Sequence, residues 1–155
     1  MPFDVQELVR DLHRKDKSMS ALLDLRKEDA PRFVALAAHC LTEQDFEGAQ
    51  AAAEAAVTCD GESADALAVL GCVLAKRDEY TRAAAAFELV VARRPTDIVA
   101  WTNLGECYLF ALRYADAARA LRQAMELDPQ SEHVAGRRAR AIAARTLLKL
   151  KKERG

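Results

Sequence analysis

The chain has 155 residues, one domain's worth and long enough to bury a core of its own. Hydrophobic residues make up 51% of it but aromatics only 6%, and alanine is heavily used, a composition that favours helices in close mutual contact. The formal net charge of −1 hides an uneven distribution, and no apolar run approaches the length needed to cross a bilayer.

Residues 1–4, Met-Pro-Phe-Asp, lack the basic and apolar regions of a signal peptide, so a cytoplasmic location is expected. Asp4 can cap a short helix in which Val5, Leu8, Val9 and Leu12 fall at i, i+3, i+4 and i+7, one apolar stripe. Residues 13–20, rich in charge and serine, interrupt it, and residues 21–26 form a second brief apolar helix with Leu22, Leu23 and Leu25. Two helices this small need a surface to dock on, either the repeat array or another chain. Glu28, Asp29, Ala30 and Pro31 then start a longer helix, proline being tolerated in a first turn.

From there one pattern recurs every 34 residues. Its clearest copy is Trp101, Leu104, Gly105 and Tyr108, followed by Ala117, Leu121 and Pro129. Leu67, Leu70, Gly71, Leu74, Ala83, Phe87 and Pro95 stand in register with it, and Phe33, Leu36, Ala37, Cys40, Ala49, Ala53 and Gly61 follow more weakly. This is similar to the tetratricopeptide (TPR) signature, with Leu121 in place of phenylalanine. The expected repeats are 30–63, 64–97 and 98–131, after an N-terminal extension of 1–29 and before a C-terminal segment of 132–155. Gln44-Asp45, Arg77-Asp78 and Leu112-Arg113 mark turns between helix A and helix B of each repeat. Gly61, Pro95 and Pro129 end the B helices. The fold class is therefore all-α, a three-repeat TPR superhelix in which neighbouring helix pairs stack because no single pair buries both faces.

A last helix is predicted from about Ser131, as its cap, to Lys152. Val134, Ala135, Ala139, Ile142, Leu147 and Leu148 supply an apolar side, as a terminal capping helix needs. Arg137, Arg138, Arg140, Arg145, Lys149, Lys151, Lys152 and Arg154 make it basic, whereas repeat 1 is acidic. With no aromatic side chain beside these cations, they read as a solvated face rather than a nucleic-acid site.

Nothing along the chain suggests catalysis. Cys40, Cys59, Cys72 and Cys107 are dispersed, without metal-ligand spacing, and His13, His39 and His133 lie far apart. Glu106 and Cys107 are consecutive on a helix and point about 100° apart, so they do not form a working pair. No catalytic residue, metal or cofactor is expected.

In TPR arrays the second, fifth, ninth and twelfth positions of each helix A line a concave groove. The resemblance places Pro31, Val34, Ala38 and Leu41 there in repeat 1, Asp65, Ala68, Cys72 and Ala75 in repeat 2, and Val99, Thr102, Glu106 and Leu109 in repeat 3. Most are small and apolar, with Lys76 and Phe110 at the rim, and such a strip marks an interaction surface. TPR domains that clamp the acidic tails of heat-shock proteins use Lys and Asn at the fifth and ninth positions; here those positions carry no basic residue. An extended apolar segment is the expected ligand, unless the chain's own N-terminal helix or a second protomer covers the strip.

The architecture also resembles the class II chaperones of bacterial type III secretion, the LcrH/SycD family. A short apolar helix like Ser-Met-Ser-Ala-Leu-Leu at 18–23 precedes repeat 1 in that family. The run Gly105-Glu106-Cys107-Tyr108-Leu109 looks like its Ala-Glu-Cys-Leu-Leu, and residues 147–153 are similar to its Lys- and Leu-rich ending. The resemblance implies a cytosolic chaperone that holds a hydrophobic translocator in its groove. It also implies a homodimer through Val5, Leu8, Val9 and Leu12; from the residues themselves, no nucleic-acid or membrane partner is expected. The other reading is a general TPR adaptor or scaffold in an assembly unrelated to secretion.

Overall fold

A computed structural model describes residues 25–154, and every described element is helical. A 3-10 turn at Lys27–Asp29 leads into α1 (Ala30–Thr42), α2 (Phe46–Cys59), α3 (Ala64–Lys76), α4 (Tyr80–Arg93), α5 (Ile98–Phe110), α6 (Tyr114–Leu127) and α7 (Val134–Arg154). The N-terminal stripe Val5, Leu8, Val9 and Leu12 lies outside the described residues.

The helices form two compact units that meet in sequence between Arg77 and Asp78. In the first, α1, α2 and α3 all touch one another. Phe33, Leu36, Ala37 and Cys40 of α1 are buried at i, i+3, i+4 and i+7 against Ala66, Val69 and Val73 of α3. The buried face of α2 holds only Gly48 and the alanines 49, 52, 53, 55 and 56, so neighbouring backbones approach closely. The second unit packs α4 on α5, α5 on α6, and α7 on both α5 and α6. Phe87, Val90, Leu104, Leu121 and Ala124 are buried there, and so are the threonines Thr102 and Thr146.

Local chemistry sets the helix ends. The side chains of Asp45, Ser63 and Asp97 accept the backbone N–H of Gly48, Ala66 and Ala100 at 2.9, 3.2 and 2.9 Å, capping α2, α3 and α5. Each helix A is followed by a residue in the left-handed region: Gln44, Asp78 and Leu112, with φ of 60°, 62° and 62°. Glycine is the usual occupant of such a position, and the exposed Leu112 holds it at a cost.

The entry to α7 departs from the sequence expectation. The helix begins at Val134 and Ser131 does not cap it; Ser131 sits at φ 58° and accepts a hydrogen bond from Arg140. His133 Nδ1 accepts the N–H of Ala135 at 3.1 Å, and the buried Asp128 carboxylate takes the N–H groups of Glu132 and His133 at 2.9 and 3.0 Å. Gly136 makes this possible, since a Cβ there would lie 1.9 Å from Asp128 Oδ2. The apolar side differs too: Ala135, Ala139 and Ile142 are buried, but Val134, Leu147 and Leu148 face solvent.

Candidate functional site

Burial of Phe33, Leu36, Ala37 and Cys40 turns the adjacent face of α1 outward. Val34 and Leu41 lie half-buried against the edge of the core, and Ala38 between them is exposed. On α3, with Leu67, Val69, Val73 and Leu74 committed inward, Ala68, Cys72 and Ala75 are half-buried. The two helices touch, and these six apolar, uncharged side chains lie on their incompletely buried faces. Pro31, Asp65 and Lys76 are exposed at its ends.

The matching positions of α5 are differently placed. Val99 is exposed, but Thr102 is completely buried, Leu109 is buried and Glu106 is half-buried. The cause is α7. Thr102 Oγ1 lies 2.8 Å from Ile98 O and 3.2 Å from Ala135 O, and its single proton serves one of them. Arg138 of α7 donates to Asn103 Oδ1 at 3.0 Å and to the Glu106 carboxylate. An ion pair and a buried hydroxyl therefore occupy a face that the resemblance to TPR arrays marks as groove.

Neither Cys40 nor Cys59 is an activated thiol. Burial, then the charge of Asp45, pushes the Cys40 thiol above its ordinary range, and burial, then Asp29, does the same for Cys59. Among the described residues no group of three or more His, Cys, Asp or Glu side chains is placed to hold a metal ion.

A polar cluster in the second unit escaped the sequence reading. Tyr108 donates its O–H to Glu88, and the Arg113 guanidinium sits over the Tyr108 ring, 4.4 Å from its centre. Arg113 also pairs with Asp116 at 2.8 Å. Nearby is a cleft of about 520 Å³ floored by Val91, Leu104 and Ala120 and walled by Trp101 and Tyr108. The aromatic residues that mark the repeat also build this cleft; Glu88, 20 residues from Tyr108, carries no periodic signal.

Both hydrogen-bonded phenols resist ionisation. The bond to Asp78 chiefly holds Tyr80 up at about 12, and burial, then the bond to Glu88, pushes Tyr108 up as well. A phenol whose pKa is raised on folding lends stability that is complete below its ordinary value and lost as pH rises through the raised one. Thermal stability is therefore expected to fall from pH 10.0 to about 12 and beyond. A series of melting curves on Tyr108→Phe should fall less steeply across that window; an unchanged slope would remove Tyr108 from the account.

Residues 74–141 match the tetratricopeptide repeat family model. None of the curated proteins matches the chain. Among solved structures, the Sgt2 TPR domain of Aspergillus fumigatus is 16% identical with a TM-score of 0.73, over 82% of this chain and 83% of that one. A TPR2B domain–pHsp70 complex of yeast Sti1 is 17% identical with a TM-score of 0.72, over 79% and 98%. The Yersinia enterocolitica type III secretion chaperone SycD, in complex with a peptide of the translocator YopD, is 18% identical with a TM-score of 0.70, over 79% and 95%. What these share with the present chain is architecture. The chain has the tetratricopeptide-repeat fold, and residues 74–141 are similar to that repeat family.

Proposed function

We propose that the chain is a non-catalytic protein-binding module that acts as a cytoplasmic chaperone, holding an extended apolar segment of a type III secretion translocator. The observation that carries this reading is the open side of α1 and α3, where Val34, Ala38, Leu41, Ala68, Cys72 and Ala75 present no charge. Apolar side chains of an extended segment would lie against it, which would withhold them from aggregation. The architecture shared with SycD, whose structure holds a translocator peptide, supports the choice of ligand class. On α5, Val99 is the most accessible of the residues assigned to cargo contact, whereas Thr102 and Glu106 would act chiefly by fixing α7 and Leu109 is buried. A homodimer through Val5, Leu8, Val9 and Leu12 belongs to the same proposal.

The adaptor reading keeps one specific support, since TPR domains of Sgt2 and Sti1 match this fold as well as SycD does. Co-expression with a translocator carrying two long apolar segments separates the two. The chaperone should keep that protein soluble and co-purify with it. Ala38→Glu, at an exposed site, should weaken the complex at least about a hundredfold, because the new carboxylate would be buried without a partner. Ala68→Glu should do the same, with far-ultraviolet circular dichroism unchanged for both. Co-purification that survives both substitutions would remove the groove assignment, and insolubility of the translocator beside the wild-type chain would favour the adaptor.

A further inference from the structure

The buried residues of α7 stop short of its end. Ala135, Ala139, Ile142 and Thr146 form one inward stripe at i, i+4, i+7 and i+11. From residue 147 to residue 153 nothing is buried; Leu147 and Leu148 are 55% and 63% exposed, and Leu150 is half-buried. Arg145, Lys149, Lys151 and Lys152 are exposed around them, and none of the four makes an ion pair among the described residues. Glu153 is the one acid in that stretch.

Helical geometry arranges these side chains in arcs. Leu147 and Leu148 project about 100° apart with Lys151 between them, while Lys152, Arg145 and Lys149 cluster on the following arc. The result is a convex tip, two aliphatic side chains in a collar of ammonium and guanidinium groups. We propose that this tip is a docking element for an anionic lipid surface, a site separate from the α1–α3 strip and independent of the cargo assignment. The cations would pair with headgroup phosphates while both leucines reach the acyl boundary.

Charge and shape favour this occupant over others. A second copy of α7 would bring like charges together. Nucleic acid would satisfy the cations but leave the leucines in water, and no aromatic side chain offers a base a stacking face. The expectation of no membrane partner rested on the lack of a spanning segment, and no described helix is long and apolar enough to cross a membrane. Surface attachment needs no such helix.

Sedimentation of the full chain with vesicles tests the proposal. Vesicles of phosphatidylcholine containing about 30% phosphatidylglycerol should bind it, and pure phosphatidylcholine vesicles should bind at least about tenfold less. High salt should release most of the bound protein. The combined substitution of Lys149, Lys151 and Lys152 by glutamine should lower binding by on the order of a hundredfold. Leu147→Ser with Leu148→Ser should lower it about tenfold while leaving the charge intact. Circular dichroism should be unchanged for both variants. The proposal is overturned if anionic vesicles bind no better than neutral ones. It is equally overturned if the leucine variant binds like wild type, or if polyglutamate or duplex oligonucleotide binds as tightly irrespective of the leucines, since that is polyanion binding only.

Discussion

Phe87→Ala is expected to destabilise the second unit by about 3–5 kcal/mol. The side chain stands on α4, is 1% exposed, and is the largest fully buried group of that unit. Around it, Ala83, Ala84, Val90 and Val91 on the same helix are buried, and α4 packs on α5. Truncation removes a ring from water-free surroundings and leaves a cavity that short, stiff neighbours fill poorly; alanines have no rotamer with which to collapse into it. Domains of this size hold only about 5–15 kcal/mol in total, so the loss is a large fraction. Urea unfolding should show an earlier midpoint, and thermal unfolding one lower by about 10 °C. Phe33→Ala makes the equivalent test of the first unit, where Phe33 is 2% exposed. A shift under about 1 kcal/mol in either case would mean that the ring is not a core element.

How far such positions can be read without coordinates depends on the range of the interaction. Phe33 and Phe87 belong to a 34-residue pattern because each meets the same packing problem in successive helix pairs, and a local repeat writes that problem into the sequence. Caps are legible for the same reason: Ser63 and Asp97 reach an N–H three residues on. The left-handed residues Gln44, Asp78 and Leu112 were less legible, since none is glycine and only their common spacing gives them away. The entry to α7 misled because His133 Nδ1, not Ser131, accepts a first-turn N–H, and the turn before it is held on Asp128 by a close approach at Gly136 that no local rule contains.

The candidate site divides along the same line. Val34, Ala38, Leu41, Ala68, Cys72 and Ala75 follow from position within a helix, and all six are half-buried or exposed on two helices that touch. Thr102 and Glu106 follow the same rule, but their environment is made by α7 through Ala135 and Arg138, more than 30 residues away. Spacing predicts which way a side chain points and is silent about what arrives to cover it. Leu147 and Leu148 show the converse, apolar residues assigned inward by composition whose helix carries no buried residue beyond Thr146.

Gly105→Val is expected to cost about 3 kcal/mol, at the upper end for overpacking. Gly105 is buried on α5 where that helix meets α6. A Cβ added there would lie 2.5 Å from Leu121 Cγ, 2.6 Å from its Cδ2 and 3.4 Å from its backbone nitrogen. The clashing atom is a branch point, not the end of a flexible chain, and Leu121 is itself fully buried, so relief requires α6 to shift. Gly105→Ala meets the same first clash, but a gain of about 1 kcal/mol in helix propensity offsets part of it. Its net loss should be smaller than that of valine, which adds two methyl groups and a stiff β-branch. Gly61→Ala supplies the control: its Cβ would meet only Val57 O, at an ordinary 3.5 Å, and the site is exposed, so its effect should stay within about 0.5 kcal/mol. Pairing Gly105→Val with Leu121→Ala should destabilise by less than the sum of the two, because the cavity left by one accepts the bulk of the other. Strict additivity of that pair in urea unfolding would show that the two helices do not meet at Gly105, and the close packing of α5 on α6 would have to be given up.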